Sequence, residues 1–208
     1  MDEKEKFNKW RPHPWHGLKA GPDPPKIVHA YIEITPFDLI KFEIDKNTGY
    51  LRVDRPQRTS SLPPSLYGFI PQTYCGQRVA SYSKSVNQGD QDPLDICVIS
   101  ERPIGRAEVL LDARVIGVLK TNDQGKADDK IIGILVSDPL WSNIEDVTQL
   151  PEIIINRIKH YFRTYKTYIP GKPQVSIEQL LGHDDAQKII EAAMADYDNK
   201  YKSKKGTV

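Results

Sequence analysis

The sequence has few cysteines and no long apolar run. Only two of its 208 residues are cysteine, Cys75 and Cys97. Two are too few for a disulfide framework, and the aliphatic neighbours of Cys97 predict a small buried side chain rather than a catalytic thiol. The longest apolar run, Ile131–Val136, is far too short to cross a bilayer, and the N-terminus lacks the apolar core of a secretory signal. These absences predict a cytoplasmic protein with no membrane partner.

The sequence also lacks an excess of charge of either sign. Lys and Arg together number 29, against 28 for Asp and Glu. A near-neutral chain does not suit nucleic acid or an anionic membrane as its main partner. Any strong electrostatic field must therefore be local.

Negative charge is concentrated in the run Asp90-Gln91-Asp92-Pro93-Leu94-Asp95, which leads directly into an apolar, strand-like segment. Two carboxylates about 4 Å apart repel by roughly 4 kcal/mol at an effective dielectric constant near 20, so three in one loop need solvent or cations. Oxygen ligands without nearby Cys or His favour Mg²⁺, Mn²⁺ or Ca²⁺ over zinc, and Mg²⁺ often completes its shell with phosphate oxygens. The motif therefore predicts a Mg²⁺ site that faces a phosphate.

Three other interpretations of this run compete with a metal site. Asp and Pro are common turn formers, so the run is also compatible with an ordinary surface turn. An EF-hand would need an oxygen ligand at position 5 and Gly at position 6, where counting from Asp90 gives Leu94 and Asp95. An aspartyl-phosphate phosphatase carries its acids at the end of a strand, whereas here the strand-like segment follows them.

The organisation of the chain predicts one domain preceded by an arm. Residues 1–26 are rich in Pro, Lys and His and predict an extended surface arm. His13 and His16 within it are spaced as metal ligands can be, but the intervening proline favours a structural role. Residues 27–208 predict a single domain.

Within that domain, strands come first and helices last. Period-two alternation predicts antiparallel strands at residues 31–34, 40–45 and 50–53, followed by a long loop at residues 54–74. Two more strands are predicted at Val109–Leu119 and Ile131–Val136, joined by a second acidic segment, and residues 76–89 form a polar insertion. Helices are predicted from Pro151 and over residues 184–201. The order predicts an α+β, mainly β domain built on a small antiparallel barrel.

The sequence resembles the soluble inorganic pyrophosphatases of family I. The run Asp90–Asp95 is similar to the family signature, and the similarity extends over about residues 28–166. It includes Tyr31–Ile34, Lys41–Asp45, Val53–Arg55, Tyr67-Gly68, Asp123 with Asp128 and Lys130, and Tyr165-Lys166. The segment His13–His16 is similar to an extension seen in plant-like and chlamydial members.

The resemblance implies a closed five-stranded OB-like barrel flanked by two or more helices, and Mg²⁺-dependent hydrolysis of pyrophosphate to two phosphates. By position, the implied metal ligands are Asp90, Asp95, Asp123 and Asp128, with Glu33 and Glu43 serving substrate-borne metals. Asp92 matches the general base. The implied phosphate-binding groups are Lys41, Arg55, Tyr67, Lys130, Tyr165 and Lys166. The resemblance also implies a homo-oligomer.

Several features leave alternatives open. Lys41 and Glu43 taken singly are compatible with the solvated face of a strand, and Tyr165 with a core aromatic. Gln124 stands where bacterial members often carry Glu, and Pro63 where many carry Tyr, which predicts altered metal affinity rather than lost activity. The alternative function is an OB-like barrel that binds nucleic acid or Ca²⁺ without catalysis, although nucleic acid would require a basic groove with stacking aromatics.

Overall fold

The computed structural model describes residues 11–167 and 175–202, and its centre is a closed ring of five strands. Its strands are β1 (Ile27–Ile34), β4 (Leu66–Phe69), β5 (Asp95–Ile99), β6 (Val109–Asp123) and β8 (Lys130–Leu135). The ring runs in the order β1, β4, β5, β8, β6 and closes where β6 pairs with β1. The predicted five-stranded barrel is therefore confirmed.

Four further strands extend or flank the ring. Strands β2 (Ile40–Ile44) and β3 (Leu51–Pro56) form a separate antiparallel hairpin. Strand β7 (Lys126–Ala127) pairs with the end of β6, and β9 (Val175–Gly182) pairs along the second half of β6. Strand β9 was not predicted from the sequence, and the loop predicted at residues 54–74 contains β4.

One pair of barrel strands departs from the expected antiparallel arrangement. Strands β5 and β8 are parallel, with Asp95 opposite Lys130 and Ile96 opposite Ile131. All other pairs in the ring are antiparallel. The parallel pair places the first residues of two strands at the same edge of the barrel, and both residues are charged.

Three helices accompany the sheet in the described residues. They are the short α1 (Gln77–Ala80), α2 (Glu152–Thr164) and α3 (His183–Tyr197), which a π-helical turn extends to Lys202. Both long helices were predicted within a few residues, while α1 lies in the segment expected to be a polar insertion. None of these helices is long and apolar enough to span a membrane.

Both faces of β5 are covered by apolar cores. Along β5, Ile96 and Val98 join a core cluster that includes α3 residues such as Ile189, whereas Cys97 and Ile99 join a second cluster around α2. Successive strand residues point to opposite faces, so a continuous apolar run is required where both faces are covered. Cys97 is accordingly a buried core residue, and burial raises the pKa of its thiol to about 12.

The N-terminal residues that the structure describes pack closely against the barrel and α3. The Trp15 side chain is only 2% exposed, so this part of the segment is buried rather than lying on the surface. The His16 ring is 2.8 Å from the Tyr197 hydroxyl. Residues 1–10 lie outside the described residues, and the division at residue 26 stays a prediction.

Asp146 connects the end of β9 and the start of α3 to the turn before α2. Its carboxylate accepts hydrogen bonds from the Thr148 backbone N–H at 2.9 Å and the Thr148 hydroxyl at 2.7 Å. It also accepts the His183 backbone N–H at 2.8 Å. Burial alone would raise the pKa of Asp146, but these hydrogen bonds lower it well below its usual value.

We expect Asp146→Ala to lower the free energy of unfolding by about 1–2 kcal/mol at neutral pH, as the loss of a capping carboxylate does. A carboxyl whose pKa is lowered by folding stabilises the fold above its unfolded-state pKa of about 3.9, and this contribution is lost as the pH falls further. The difference between variant and wild type in urea denaturation should therefore be smaller at pH 3 than at pH 7. Asp184→Ala, next to the same histidine but exposed, is the control and should change the midpoint little; an equal effect at both pH values would contradict the assignment.

Candidate active site

One cleft of about 290 Å³ collects twelve of the thirteen side chains implied by the resemblance. They are Glu33, Lys41, Glu43, Tyr67, Asp90, Asp92, Asp95, Asp123, Asp128, Lys130, Tyr165 and Lys166. They come from five barrel strands, the β2–β3 hairpin, the loops before β5 and β8, and the C-terminal end of α2. Residues far apart in sequence thus meet at one edge of the barrel.

The parallel β5–β8 pair builds the floor of the cleft. The Lys130 ammonium, whose residue is 1% exposed, donates a hydrogen bond to Asp95 Oδ2 at 2.5 Å and another to Asp128 Oδ1. Burial alone would lower the pKa of Lys130, but the carboxylates of Asp128 and Asp95 raise it well above its usual value. Lys130 is therefore a buried cation held between two acids.

Asp90 and Glu33 are the acids whose ionisation the cleft disfavours most strongly. Burial, together with the nearby charges of Asp128 and Asp95, raises the pKa of Asp90 well above its usual range. Burial also raises the pKa of Glu33 to about 8, although its carboxyl accepts the Ile44 backbone N–H at 2.6 Å. Both shifts express the cost of placing carboxylates close together away from water.

Asp123 lies at the end of β6 and pairs with Lys166, which follows α2. The ammonium of Lys166 donates to Asp123 Oδ2, and it lies 4.0 Å from Asp128 Oδ2. The other carboxylate oxygen, Asp123 Oδ1, is buried without a hydrogen-bond partner. A buried acceptor without a donor is costly, and a bound cation would satisfy it.

The acids of the cleft do not form a preformed metal cage. Over residues 11–167 and 175–202, no three His, Cys, Asp or Glu side chains converge closely enough to enclose a metal ion. The donors nevertheless match a hard divalent cation, because the acidic groups offer only oxygen and one of these oxygens is orphaned. The residues fit such a cation in their chemistry.

Asp92 stands at the mouth of the cleft and contacts Lys46. The Lys46 ammonium donates to Asp92 Oδ1, and both side chains are about half exposed, at 53% and 44%. Lys46 was not among the candidate residues, although it directly follows the Lys41–Asp45 segment that contributed to the resemblance. Its contact with Asp92 depends on the β2–β3 hairpin folding over the loop, which no local pattern reveals.

Arg55 is the one candidate outside the lining of the cleft. Its guanidinium contacts Asp54, and Lys41 on the neighbouring strand donates to the same Asp54 carboxylate at 2.8 Å and to Glu43 at 3.0 Å. Asp54 was missed by the sequence analysis even though it lies between two residues of the motif Val53–Arg55. It joins Lys41 to Arg55 beside the cleft.

The two candidate tyrosines are largely buried within the cleft wall. Tyr67 donates its hydroxyl proton to Asp95, and the Tyr165 ring stacks on Tyr161 with ring centroids 5.1 Å apart. Burial raises the pKa of both hydroxyls well above the usual value, so both remain protonated donors. Tyr165 belongs to the core cluster around α2 and also lines the cleft, so the two interpretations of this residue are compatible.

Comparisons with known proteins place this site in a family. The model of the inorganic pyrophosphatase family matches residues 30–198. An inorganic pyrophosphatase of Chlamydia caviae is 47% identical over 206 residues, covering 94% of this chain and 95% of that protein. Soluble inorganic pyrophosphatase 1 of Arabidopsis thaliana is 35% identical over 182 residues, covering 88% and 78% of the two chains.

Solved structures give the same result. The crystal structure of inorganic pyrophosphatase from Thermus thermophilus superimposes with a TM-score of 0.75 at 30% identity, covering 86% of this chain and 96% of that one. The chain belongs to the inorganic pyrophosphatase family. The resemblance seen in the sequence is therefore confirmed, and this pyrophosphatase hydrolyses inorganic pyrophosphate to two orthophosphates.

A buried ion pair lies behind the cleft of this pyrophosphatase, and its acid is not one of the acids that line the cleft. Lys120 and Asp129 are 4% and 1% exposed, and their charged atoms are 2.6 Å apart. Asp129 also accepts the Thr121 backbone N–H at 3.2 Å. Asp129 does not line the cleft, although both its sequence neighbours do.

We expect Asp129→Asn to destabilise the protein by about 3 kcal/mol or more, because removing one member of a buried pair leaves the other charge uncompensated. The asparagine side chain still offers an acceptor to the Thr121 N–H, so the lost stability is due to the ion pair itself. Adding Lys120→Met should restore most of the stability in chemical denaturation. If the double variant is no more stable than Asp129→Asn alone, an unpaired lysine is not the cause.

Proposed function

We propose that the cleft hydrolyses pyrophosphate with Mg²⁺ held by Asp90, Asp95, Asp123 and Asp128, with Glu33 and Glu43 facing cations that arrive with the substrate. The observation that carries the proposal is the lining itself, in which seven carboxylates and five lysines surround one cavity. Pyrophosphate carries about four negative charges, and such a substrate needs cations on its bridging and terminal oxygens. Bound Mg²⁺ would supply these cations and lower the pKa of the attacking water.

In this proposal Asp92 acts as the general base. It lies at the mouth of the cleft and its side chain is about half exposed, so water can reach its carboxylate. Its carboxylate would accept the proton of the water that attacks phosphorus. Lys46 is placed to orient the same carboxylate through its ammonium group.

The phosphate groups would be held by the lysines and tyrosines of the cleft. Lys130 and Lys166 lie on the floor among the acids proposed to hold metal, while Lys41 lies on the hairpin and is joined to Arg55 through Asp54. The protonated hydroxyls of Tyr67 and Tyr165 are suited to donate hydrogen bonds to phosphate oxygens. Lys130 and Lys166 now pair with proposed metal ligands, and they would donate to phosphate oxygens when Mg²⁺ and substrate are bound.

A barrel used only to bind nucleic acid is less well supported. The cleft has more acids than lysines, whereas a single-stranded nucleic acid requires a positive groove. Homo-oligomeric assembly and a cytoplasmic location stay predictions. Light scattering of the purified chain tests the first.

Phosphate release from pyrophosphate tests the proposal as a whole. Release should require Mg²⁺ and stop with chelator, and Ca²⁺ should bind but support little turnover, because its longer and looser coordination misplaces the reacting groups. Equal rates with Ca²⁺ and Mg²⁺, or hydrolysis that persists in chelator, would overturn the assignment of Mg²⁺.

Mg²⁺ should also stabilise the folded protein, since a cation relieves the repulsion among the four proposed ligands. At a hundredfold excess over its dissociation constant, Mg²⁺ should add about 2.7 kcal/mol to the free energy of unfolding. The measurement is the melting temperature in Mg²⁺ and in chelator, with Asp123→Asn expected to reduce the difference. A wild-type melting temperature that is the same in both would exclude a clustered site in the native protein.

Asp92→Asn should lower kcat by about 10²- to 10⁴-fold, the usual contribution of a general base, with little change in Mg²⁺ affinity. Partial recovery at higher pH is expected because hydroxide can replace the lost base. Asp185→Asn, an equal change of charge on the exposed face of α3, should leave the rate unchanged. If excess Mg²⁺ restores the full rate of Asp92→Asn, then Asp92 is a metal ligand and the assigned roles are wrong.

A further inference from the structure

Two residues of the N-terminal segment are linked to the Asp90–Asp95 loop through residues that contact it. Trp15 is the first. Its indole Nε1 donates to the Thr73 carbonyl at 2.8 Å, and its own carbonyl accepts the Gln72 backbone N–H at 2.9 Å. Trp15 is therefore bonded to the backbone of Gln72 and Thr73, and Thr73 is in turn bonded to the loop.

Residues 73 and 75 are hydrogen-bonded to the Asp90–Asp95 loop. The Thr73 hydroxyl accepts the Leu94 backbone N–H at 2.9 Å, and the Cys75 backbone N–H donates to the Asp92 carbonyl at 2.8 Å. Thr73 is fully buried, so water does not replace these bonds. Hydrogen bonds and the covalent chain of residues 73–75 thus connect the Trp15 indole to the backbone on both sides of Pro93.

His13 reaches the same loop through the β2–β3 hairpin. Its Nδ1 accepts the backbone N–H groups of Trp15 at 3.1 Å and His16 at 3.4 Å, so Nε2 carries the proton and donates to the Lys46 carbonyl at 3.2 Å. The hairpin turn lies tightly against the segment, since a Cβ on Gly49 would be 2.9 Å from Pro14 Cδ. The Lys46 side chain then contacts the Asp92 carboxylate.

We propose that His13 and Trp15 are positioning residues for the proposed general base, His13 acting on the Asp92 carboxylate through Lys46 and Trp15 on its backbone through Thr73 and Cys75. This inference rests on the role proposed for Asp92. The two paths start two residues apart in one turn, and they end on the side chain and on the backbone of the same residue. An Asp92 side chain that is about half exposed has few packing contacts of its own, so its orientation depends on such neighbours.

A residue that only fastens the N-terminal segment to the barrel is not expected to change kcat. The same segment is fastened elsewhere, for example where His29 Nδ1 lies 2.9 Å from the Lys19 carbonyl and Nε2 lies 3.3 Å from Asp112. That link also joins the segment to the barrel through an imidazole, but it is not connected to the Asp90–Asp95 loop in this way. His29 therefore provides a matched control for His13.

The test compares His13→Asn, Trp15→Phe and His29→Asn in the full chain. Asparagine at position 13 keeps an acceptor for the Trp15 and His16 N–H groups but does not reach Lys46, and phenylalanine at position 15 keeps the buried ring but loses the donor to Thr73. We expect kcat to fall about tenfold in both variants with KM little changed, because displacements near 1 Å cost up to about 10²-fold. His29→Asn should keep the wild-type kcat.

A double-variant cycle separates positioning of Asp92 from any other effect. Once Asp92→Asn has removed the base, adding His13→Asn should lower kcat no further. A full additional tenfold loss in that background, or wild-type kcat in both His13→Asn and Trp15→Phe, would overturn the inference. Absence of pyrophosphate hydrolysis by the wild-type protein would instead overturn the proposed function on which it rests.

Discussion

Electrostatic repulsion within one small cleft is the constraint on which the rest of this structure depends. Two carboxylates about 4 Å apart repel by roughly 4 kcal/mol at an effective dielectric constant near 20, and seven carboxylates line the same cavity here. The structure tolerates them by placing an ammonium group beside most of them. Lys130 is the most important, since it is buried between Asp95 and Asp128 and its raised pKa shows that both acids stabilise its charge.

The barrel makes this arrangement possible because it fixes the registers of distant strands. Asp95 and Lys130 are opposite each other only because β5 and β8 run parallel, and both strands are anchored by apolar side chains on both faces. A shift of one residue in this register would exchange the two faces of the strand and bury different side chains. The position of the buried ammonium is therefore set by the hydrophobic cores rather than by the acids that it pairs with.

The sequence was sufficient to predict the parts of the fold and site that depend on local pattern. The alternation in β1 and β2, the apolar run of β5, the faces of α2 and the acid-rich loop are all local signals, and each element was predicted. Strand β4 escaped because it is short and contains Gly68. That glycine is required by the β1–β4 contact, since a Cβ there would lie 1.8 Å from the Tyr31 carbonyl oxygen.

What the sequence could not predict depends on contacts between distant segments. The parallel pairing of β5 with β8 has no signal in either strand, because both are continuous apolar runs. Lys46 and Asp54 were overlooked for a similar reason: each adjoins a recognised motif, but its partner lies on another segment or strand. The opposite holds for Arg55, which belongs to a recognised motif but does not line the cleft.

The segment Asp128-Asp129-Lys130 shows how one stretch of sequence serves both stability and chemistry. Alternation along an extended chain points Asp128 and Lys130 to one side and Asp129 to the other. The first two therefore enter the cleft, while Asp129 pairs with Lys120 in the interior. Charge density alone made this segment appear to be a single acidic cluster, but extended geometry divides it. The acid that pairs with Lys120 in the interior therefore faces away from the acids that line the cleft.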